Sequence, residues 1–186
     1  MKILIIGGNG TIGKTVTKRF SEEHDEVIIA GRSSGDVTVD IADTNSIEKM
    51  FQKTGNVDAI VNIAGDAKWD VFDNLSEEDF YIGIKSKMMG QVNIVRLGME
   101  NLNPNGSFTL TTGILADEPV DMTTSAAMVN GAIQSFTMAL ALELKDGIRV
   151  NCVSADLVAD AFEKFVKTGK ATGTDSRGDT HNLSLS

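Results

Sequence analysis

An apolar strand that runs into a glycine-rich turn and then a helical pattern leaves a chain few folds, and KILIIGGNGTIGKT at residues 2–15 is such a stretch. Glycines let the backbone turn tightly beneath a helix N-terminus, whose free N–H groups attract phosphate. The run fits two phosphate-binding patterns. From Gly8 it reads G-x-x-x-x-G-K-T, a P-loop in which Lys14 reaches the outer phosphates and Thr15 holds magnesium. From Gly7 it reads G-x-x-G-x-x-G, the turn of a dinucleotide-binding fold, with Lys14 facing solvent on the first helical turn.

The rest of the chain repeats the strand-then-helix alternation, which marks an α/β fold: a doubly wound parallel sheet with helices on both faces, the Rossmann architecture. Strands are expected at 2–7, 26–31, 37–40, 57–65, 107–112 and 148–154, and their near-continuous apolarity implies burial on both faces. Helices are expected from Gly13 to Glu23, Thr44 to Lys53, Ser76 to Glu100 and Thr123 to Lys145, with Pro104 and Pro119 between elements. At 186 residues, 1–186 is expected to be a single domain, ending in a polar tail at 168–186. The net charge of −9 argues against nucleic-acid and anionic-membrane surfaces and toward a small-molecule ligand. Cys152 is the sole cysteine, so neither a disulfide framework nor a zinc spacing exists, and no metal site is expected. With no signal-peptide pattern and no spanning segment, a cytoplasmic protein is expected.

The strand ends weigh the two readings of the turn. A P-loop protein wants an acidic residue ending a later strand to order magnesium, whereas VDAIVNIAG ends in Asn62, Ala64 and Gly65. A dinucleotide fold wants a carboxylate after the second strand for a ribose 2′-hydroxyl, or a basic residue for a 2′-phosphate. The sequence AGRSSGD puts Gly31 at the acid's place and then Arg32, Ser33 and Ser34, a guanidinium fork and two hydroxyls suited to phosphate. NADP(H) is therefore expected in preference to NAD(H). The bland alternative for Arg32 is an exposed loop cation, and for the glycines a plain tight turn.

Taken together, GGNGTIG after the first strand, Asp40 in VDIAD, NIAG at 62–65 and ALALELKDGIRVNCVS at 139–154 resemble the short-chain dehydrogenase/reductase family over most of 2–154. The resemblance implies that Gly7, Asn9, Gly10, Thr11, Ile12 and Gly13 cradle the pyrophosphate and that Asp40 contacts adenine. It further implies that Asn62, Ala64 and Gly65 stabilise the sheet beside the cofactor, while the 2′-phosphate contact of Arg32 and Ser33 stands on the strand-end reading above. Family enzymes use a Tyr, a Lys four residues later, a Ser and an Asn. A gapless match places these on Ala126, Asn130, Gly113 (Thr112 after a one-residue shift) and Gly83. A methyl group moves no proton and an amide carries no charge to depress a neighbouring pKa, so only Thr112 is retained as a catalytic candidate. The pattern looks like an atypical subgroup that keeps the nucleotide site and lacks the usual active-site residues.

Tyr81 and Lys85 lie at helical spacing and form a conceivable relocated acid/base pair, against the plainer reading of a half-buried anchor beside solvated or ribose-facing Lys85 and Lys87. His24, His181 and Trp69 carry no catalytic pattern. After Ser154 the family has a substrate lid, whereas here the chain runs at once into ADLVADAFEKFV, which reads as the last helix. The lid is either deleted or a mobile segment left out between 154 and 155, and the second is expected because lids come from the low-stability end of a structure. Apolar residues on several faces of the two long helices, among them Met88, Met89, Met128 and Met138, imply a homodimer or homotetramer. Function is thus expected to be hydride transfer at a carbonyl or alcohol by an NADP(H)-binding oxidoreductase. The alternatives are a non-catalytic dinucleotide sensor or partner subunit and, remotely, a P-loop phosphotransferase.

Overall fold

The computed structural model describes residues 1–23 and 26–154, together with the backbone pairing of 171–174 and 180–183. Strands β1 (Lys2–Ile6), β2 (Glu26–Gly31), β3 (Val37–Thr38), β4 (Val57–Asn62), β5 (Leu102–Thr112) and β6 (Arg149–Ser154) form one sheet in the order β3-β2-β1-β4-β5-β6. Every pairing in it is parallel. The links are α1 (Thr11–Glu22) after β1, α2 (Thr44–Thr54) after β3, α3 (Glu77–Gly83) and α4 (Met89–Gly98) after β4, and α5 (Thr124–Ala141) after β5.

Successive side chains of a strand point to opposite faces, and β1 divides accordingly. Leu4 and Ile6 pack with Ile47, Met50 and Phe51 of α2 and Ile94 of α4, while Ile3 and Ile5 pack with Val16 and Phe20 of α1. Each such side chain, when fully buried, contributes about 1.5–3 kcal/mol, so the two helix layers hold the sheet between them. From β1 the chain proceeds to β2 and β3 on one side and to β4, β5 and β6 on the other. The C-terminal ends of β1 and β4 therefore flank a switch point, where open parallel sheets leave a crevice.

Some boundaries differ from the sequence reading. β5 begins at Leu102 and contains Pro104: Val57 pairs with Leu102 but Ala59 with Ser107, so the stretch around Pro104 bulges out of the ladder. A proline is tolerated in such a bulge because no ladder bond is asked of it. The helix expected over 76–100 opens on a capping box of Ser76 and Asp79 but is interrupted by a π turn at Ile84–Met88. α5 stops at Ala141. Within the expected polar tail, Ala171–Thr174 (β7) and Thr180–Leu183 (β8) pair with each other in an antiparallel two-stranded sheet and join no strand of the main one. The helix expected over 155–166, the lid and His24 lie outside the described residues.

Candidate dinucleotide site

The glycine turn joins β1 to α1 in very little space. Gly7 has φ +86°, and a β-carbon on it would stand 2.9 Å from the backbone nitrogen of Ala64. Gly10 caps α1 with no side-chain bond, and its N–H donates to the Gly7 carbonyl at 2.9 Å. A β-carbon on Gly13 would run into that same carbonyl and into the Gly8 backbone, so α1 can sit this close to the turn only with glycine there. The first turn of α1 has no acidic residue, which leaves the orphan N–H groups and the positive helix end to an outside anion. Lys14 and Thr15 are exposed and do not line the cleft below. Of the two patterns in GGNGTIGKT, the close packing of the turn falls on the 7-10-13 spacing.

Above the turn opens a cleft of about 600 Å3. Gly7, Asn9, Gly10, Thr11, Ile12, Gly13, Arg32, Ser33, Ala64 and Gly65, all expected from the sequence, line it. The Arg32 and Ser33 segment folds back over the end of β2, where a β-carbon on Gly31 would meet the Ser34 carbonyl at 2.6 Å. Asn9 Nδ2 donates to Ser34 Oγ at 3.2 Å and ties this loop to the glycine turn. Asp40 and Asn62 stand outside the lining. Asp40 Oδ1 lies 3.9 Å from Arg32 Nη2 and accepts from the Ala42 N–H at 3.0 Å, while its neighbours Val39 and Ile41 form the wall. Asn62 braces from behind: its Nδ2 donates to the Ala64 carbonyl at 2.9 Å and its own carbonyl accepts from Thr111 Oγ1 at 2.6 Å.

The structure adds Ile41, Asp66, Ser86 and Gln91, which sequence reading missed. The Asp66 N–H donates to Ser86 Oγ at 3.1 Å, fixing the segment after β4 against the π turn. Gln91 is fully buried; its Nε2 donates to the Thr111 carbonyl at 2.9 Å and its Oε1 accepts from the Thr111 N–H at 2.8 Å. It thereby takes the place of a strand partner beyond Val61–Thr109, the last register pair of β4 and β5. The available signal was polar residues interrupting an apolar helix. Burial holds the Lys87 ammonium below the ordinary lysine range, with the Asp66 charge opposing that shift. Lys85 Nζ sits 5.7 Å above the Tyr81 ring, so that pair meets as a cation and a π face. With Arg32, Asp66 and Ser86 they border a second hollow of about 400 Å3 beside the cleft.

The positions implied for catalysis lie at the C-terminal end of β5 and on α3 and α5. Thr112 is buried outside the cleft lining, its Oγ1 donating to the Asn130 carbonyl at 3.1 Å. Ala126 and Asn130 are each 3% exposed. A β-carbon on Gly113 would meet Asn130 Nδ2 at 2.9 Å, and one on Gly83 would meet Val129 Cγ1 at 3.1 Å. Trp69 is 55% exposed on the loop after β4. Among the described residues no group of His, Cys and acidic side chains is placed to hold a metal ion, and no helix is long and apolar enough to cross a membrane.

Known proteins share this construction. Residues 8–180 match the protein family described as enoyl-(acyl carrier protein) reductase. The solved structure of the protein lin1944 from Listeria innocua is 44% identical, with a TM-score of 0.87 over 92% of this chain and 96% of that one. A small-chain dehydrogenase solved in complex with NADPH is 32% identical, with a TM-score of 0.76 over 83% of this chain and 69% of that one. Among curated proteins, the uncharacterized oxidoreductase DltE of Bacillus subtilis (strain 168) is 28% identical over 77% of this chain. The oxidoreductase UcpA of Escherichia coli (strain K12) is 29% identical over 69% of it. The chain spans 66% and 52% of the lengths of these two. A family match over residues 8–180, together with a solved small-chain dehydrogenase that is 32% identical over 83% of this chain, means that the chain belongs to the short-chain dehydrogenase/reductase family.

Proposed function

We propose that the chain binds NADP(H) in the cleft and acts as an oxidoreductase between a carbonyl and an alcohol. The observation that carries the cofactor choice is the end of β2, where Gly31 is followed by Arg32 and two serines on the cleft wall. A carboxylate there would repel a 2′-phosphate, whereas a guanidinium fork holds one through two parallel bonds. The residues fit the group: the close-packed turn and acid-free helix end suit a pyrophosphate, and Val39, Ile41 and Ala64 offer apolar contact to an adenine. A solved relative in complex with NADPH supports the same reading.

Bound, the nicotinamide would supply the hydride, and the chain's work is orientation and charge placement. Thr112 can polarise a substrate oxygen only by releasing the Asn130 carbonyl, a bond of about 0.5–1.5 kcal/mol net. The proton that Ala126 cannot supply would come from a water or from another residue. A second reading, a non-catalytic dinucleotide sensor or partner subunit, is favoured by the close packing of Ala126, Asn130, Gly113 and Gly83, which leaves little room for proton-transfer groups. A homodimer or homotetramer is proposed from exposed Met89, Met128, Met138 and Leu142 on or next to α4 and α5; a monomer in sedimentation would contradict it. Cytoplasmic location is proposed from the lone Cys152.

The test is titration with NADPH, NADH and magnesium–ATP, read by cofactor fluorescence and melting temperature, with Arg32→Ala alongside. NADPH should bind tightest, and the variant should bind NADPH and NADH alike, a loss of roughly tenfold or more for NADPH. Binding of magnesium–ATP alone would overturn the proposal. Turnover of carbonyl substrates by the NADPH complex then separates the enzyme from the sensor.

A further inference from the structure

The π turn at Ile84–Met88 is the one break in regular helix between Glu77 and Gly98, and it faces the cleft. A single widened turn re-aims the side chains it carries, and such turns recur at functional sites. Here it brings Ser86 onto the cleft wall, where the hydroxyl accepts from the Asp66 N–H at 3.1 Å. The next residue, Lys87, lays its stem across Gly65. A β-carbon on Gly65 would meet Lys87 Cα, Cβ and Cγ at 3.0, 3.1 and 3.1 Å, and Gly65 itself has φ +142°. Gly65, Asp66 and Ser86, which surround this lysine, all line the cleft.

Lys87 is half-buried and, among the described residues, its ammonium has no hydrogen bond or ion pair; Asp66 acts on it through charge alone. Desolvation of a half-buried ammonium is offset when a ligand oxygen comes to it, so an oxygen-rich group seated on this wall would gain from Lys87. The groups around it are few. Lys85 of the same turn leans over Tyr81, Glu78 and Tyr81 of α3 border the adjoining hollow with Asp66, and α5, packed against the turn, carries no ionisable side chain from Thr124 to Ala141.

We infer that Lys87 is a cofactor-binding cation, whose ammonium hydrogen-bonds the ribose hydroxyls of a bound dinucleotide on the Ile63–Asp66 side of the cleft. The inference rests on the dinucleotide reading above and adds to it a contact that is indifferent to the 2′-phosphate. Lys87 and Arg32 thus divide the labour: Arg32 distinguishes NADPH from NADH, and Lys87 holds both.

The test is fluorescence titration of Lys87→Met and Lys87→Arg with NADPH and with NADH between pH 7 and pH 10. Lys87→Met keeps the stem over Gly65 and removes the charge. It should weaken NADPH and NADH by the same factor, roughly tenfold at pH 7. Wild-type affinity should fall with rising pH below the ordinary lysine value of 10.5, because burial lets the ammonium lose its proton early. That fall should be absent in Lys87→Met. Lys87→Arg should retain affinity at pH 7 and also lose the alkaline fall, since a guanidinium stays charged; it carries the test if Lys87→Met does not fold. An unchanged affinity with the alkaline fall intact in either variant overturns the inference while leaving the dinucleotide reading standing. Failure of the wild-type protein to bind either dinucleotide overturns both.

Discussion

The two rims of the sheet are built on opposite terms. At the N-terminal rim, Asp58 closes three strands: its Oδ2 accepts from the Lys2 N–H at 2.7 Å and its Oδ1 from Asn103 Nδ2 at 2.7 Å. Lys2 Nζ donates to the Thr54 carbonyl at 2.8 Å. At the C-terminal rim, Asn62 Oδ1, Asn130 Oδ1 and Ser154 Oγ are buried with no partner among the described residues. One rim meets its polar needs inside the chain and serves stability; the other leaves buried polar atoms unpaired among the described residues, behind the cleft wall rather than on it. The division is not absolute, since Ser107 Oγ and Thr109 Oγ1 within β5 and Ser125 Oγ on α5 are also unpaired among the described residues. Those, like Ser154 Oγ, are lone hydroxyls, whereas the two asparagine oxygens are stronger acceptors.

The strongest way to break this contrast is at Gln91. If the C-terminal rim tolerated unpaired groups anywhere, Gln91→Leu would be mild. Instead it strands both main-chain groups of Thr111 in a buried setting, and each unsatisfied group costs about 1–3 kcal/mol. Denaturant unfolding should show a loss of roughly 2–5 kcal/mol, and a loss under 1 kcal/mol would mean that this rim relaxes freely.

Next in size is Gly13→Val. Its side chain collides with the Gly7 carbonyl and the Gly8 backbone, so α1 must move away from the turn. Displacement of about 1–3 kcal/mol in packing corresponds to roughly a 5- to 150-fold loss of dinucleotide affinity if the turn carries the pyrophosphate. Retained affinity in titration would place the binding determinants elsewhere.

How much of this contrast could be read from sequence follows from how local each feature is. The strand, glycine turn and helix at 2–22 were legible because glycine spacing and apolar periodicity act within a few residues. Arg32 was legible because strand order puts the end of β2 beside that turn. The π turn was not, since a 3.6-residue period over IKSKMMGQV does not reveal one inserted residue. Gln91 was not, because its worth lies in a strand partner reached only after folding. The bulge at Pro104 was hidden for the same reason: whether a proline ends a strand or sits in a bulge is decided by the neighbouring β4.

At the N-terminal rim the corresponding probe is Asp58→Ala, expected to destabilise by about 1–2 kcal/mol without altering dinucleotide affinity. The Asn103 and Lys2 bonds hold the Asp58 carboxyl below its ordinary 3.8 against a smaller opposing effect of burial. A carboxylate depressed in the folded state stabilises above its unfolded pKa and loses that contribution as pH falls through the folded value. The gap between wild type and variant should therefore be full at pH 7 and narrow on acidification below pH 4. A gap independent of pH would assign the loss to packing.

The smallest effect is expected at Lys14, and it returns to the double pattern in GGNGTIGKT. In a P-loop this lysine reaches into the phosphates, and its removal abolishes nucleotide binding. Here Lys14 is exposed on α1, one residue past the glycine that closes the turn, and outside the cleft lining. Lys14→Ala removes one positive charge near a helix N-terminus, where a cation is mildly unfavourable, so stability should change by no more than about 0.5 kcal/mol. Dinucleotide affinity should change less than about twofold, through the long-range field alone. A tenfold loss would make Lys14 a phosphate ligand, and the cleft would have to be redrawn around the other pattern.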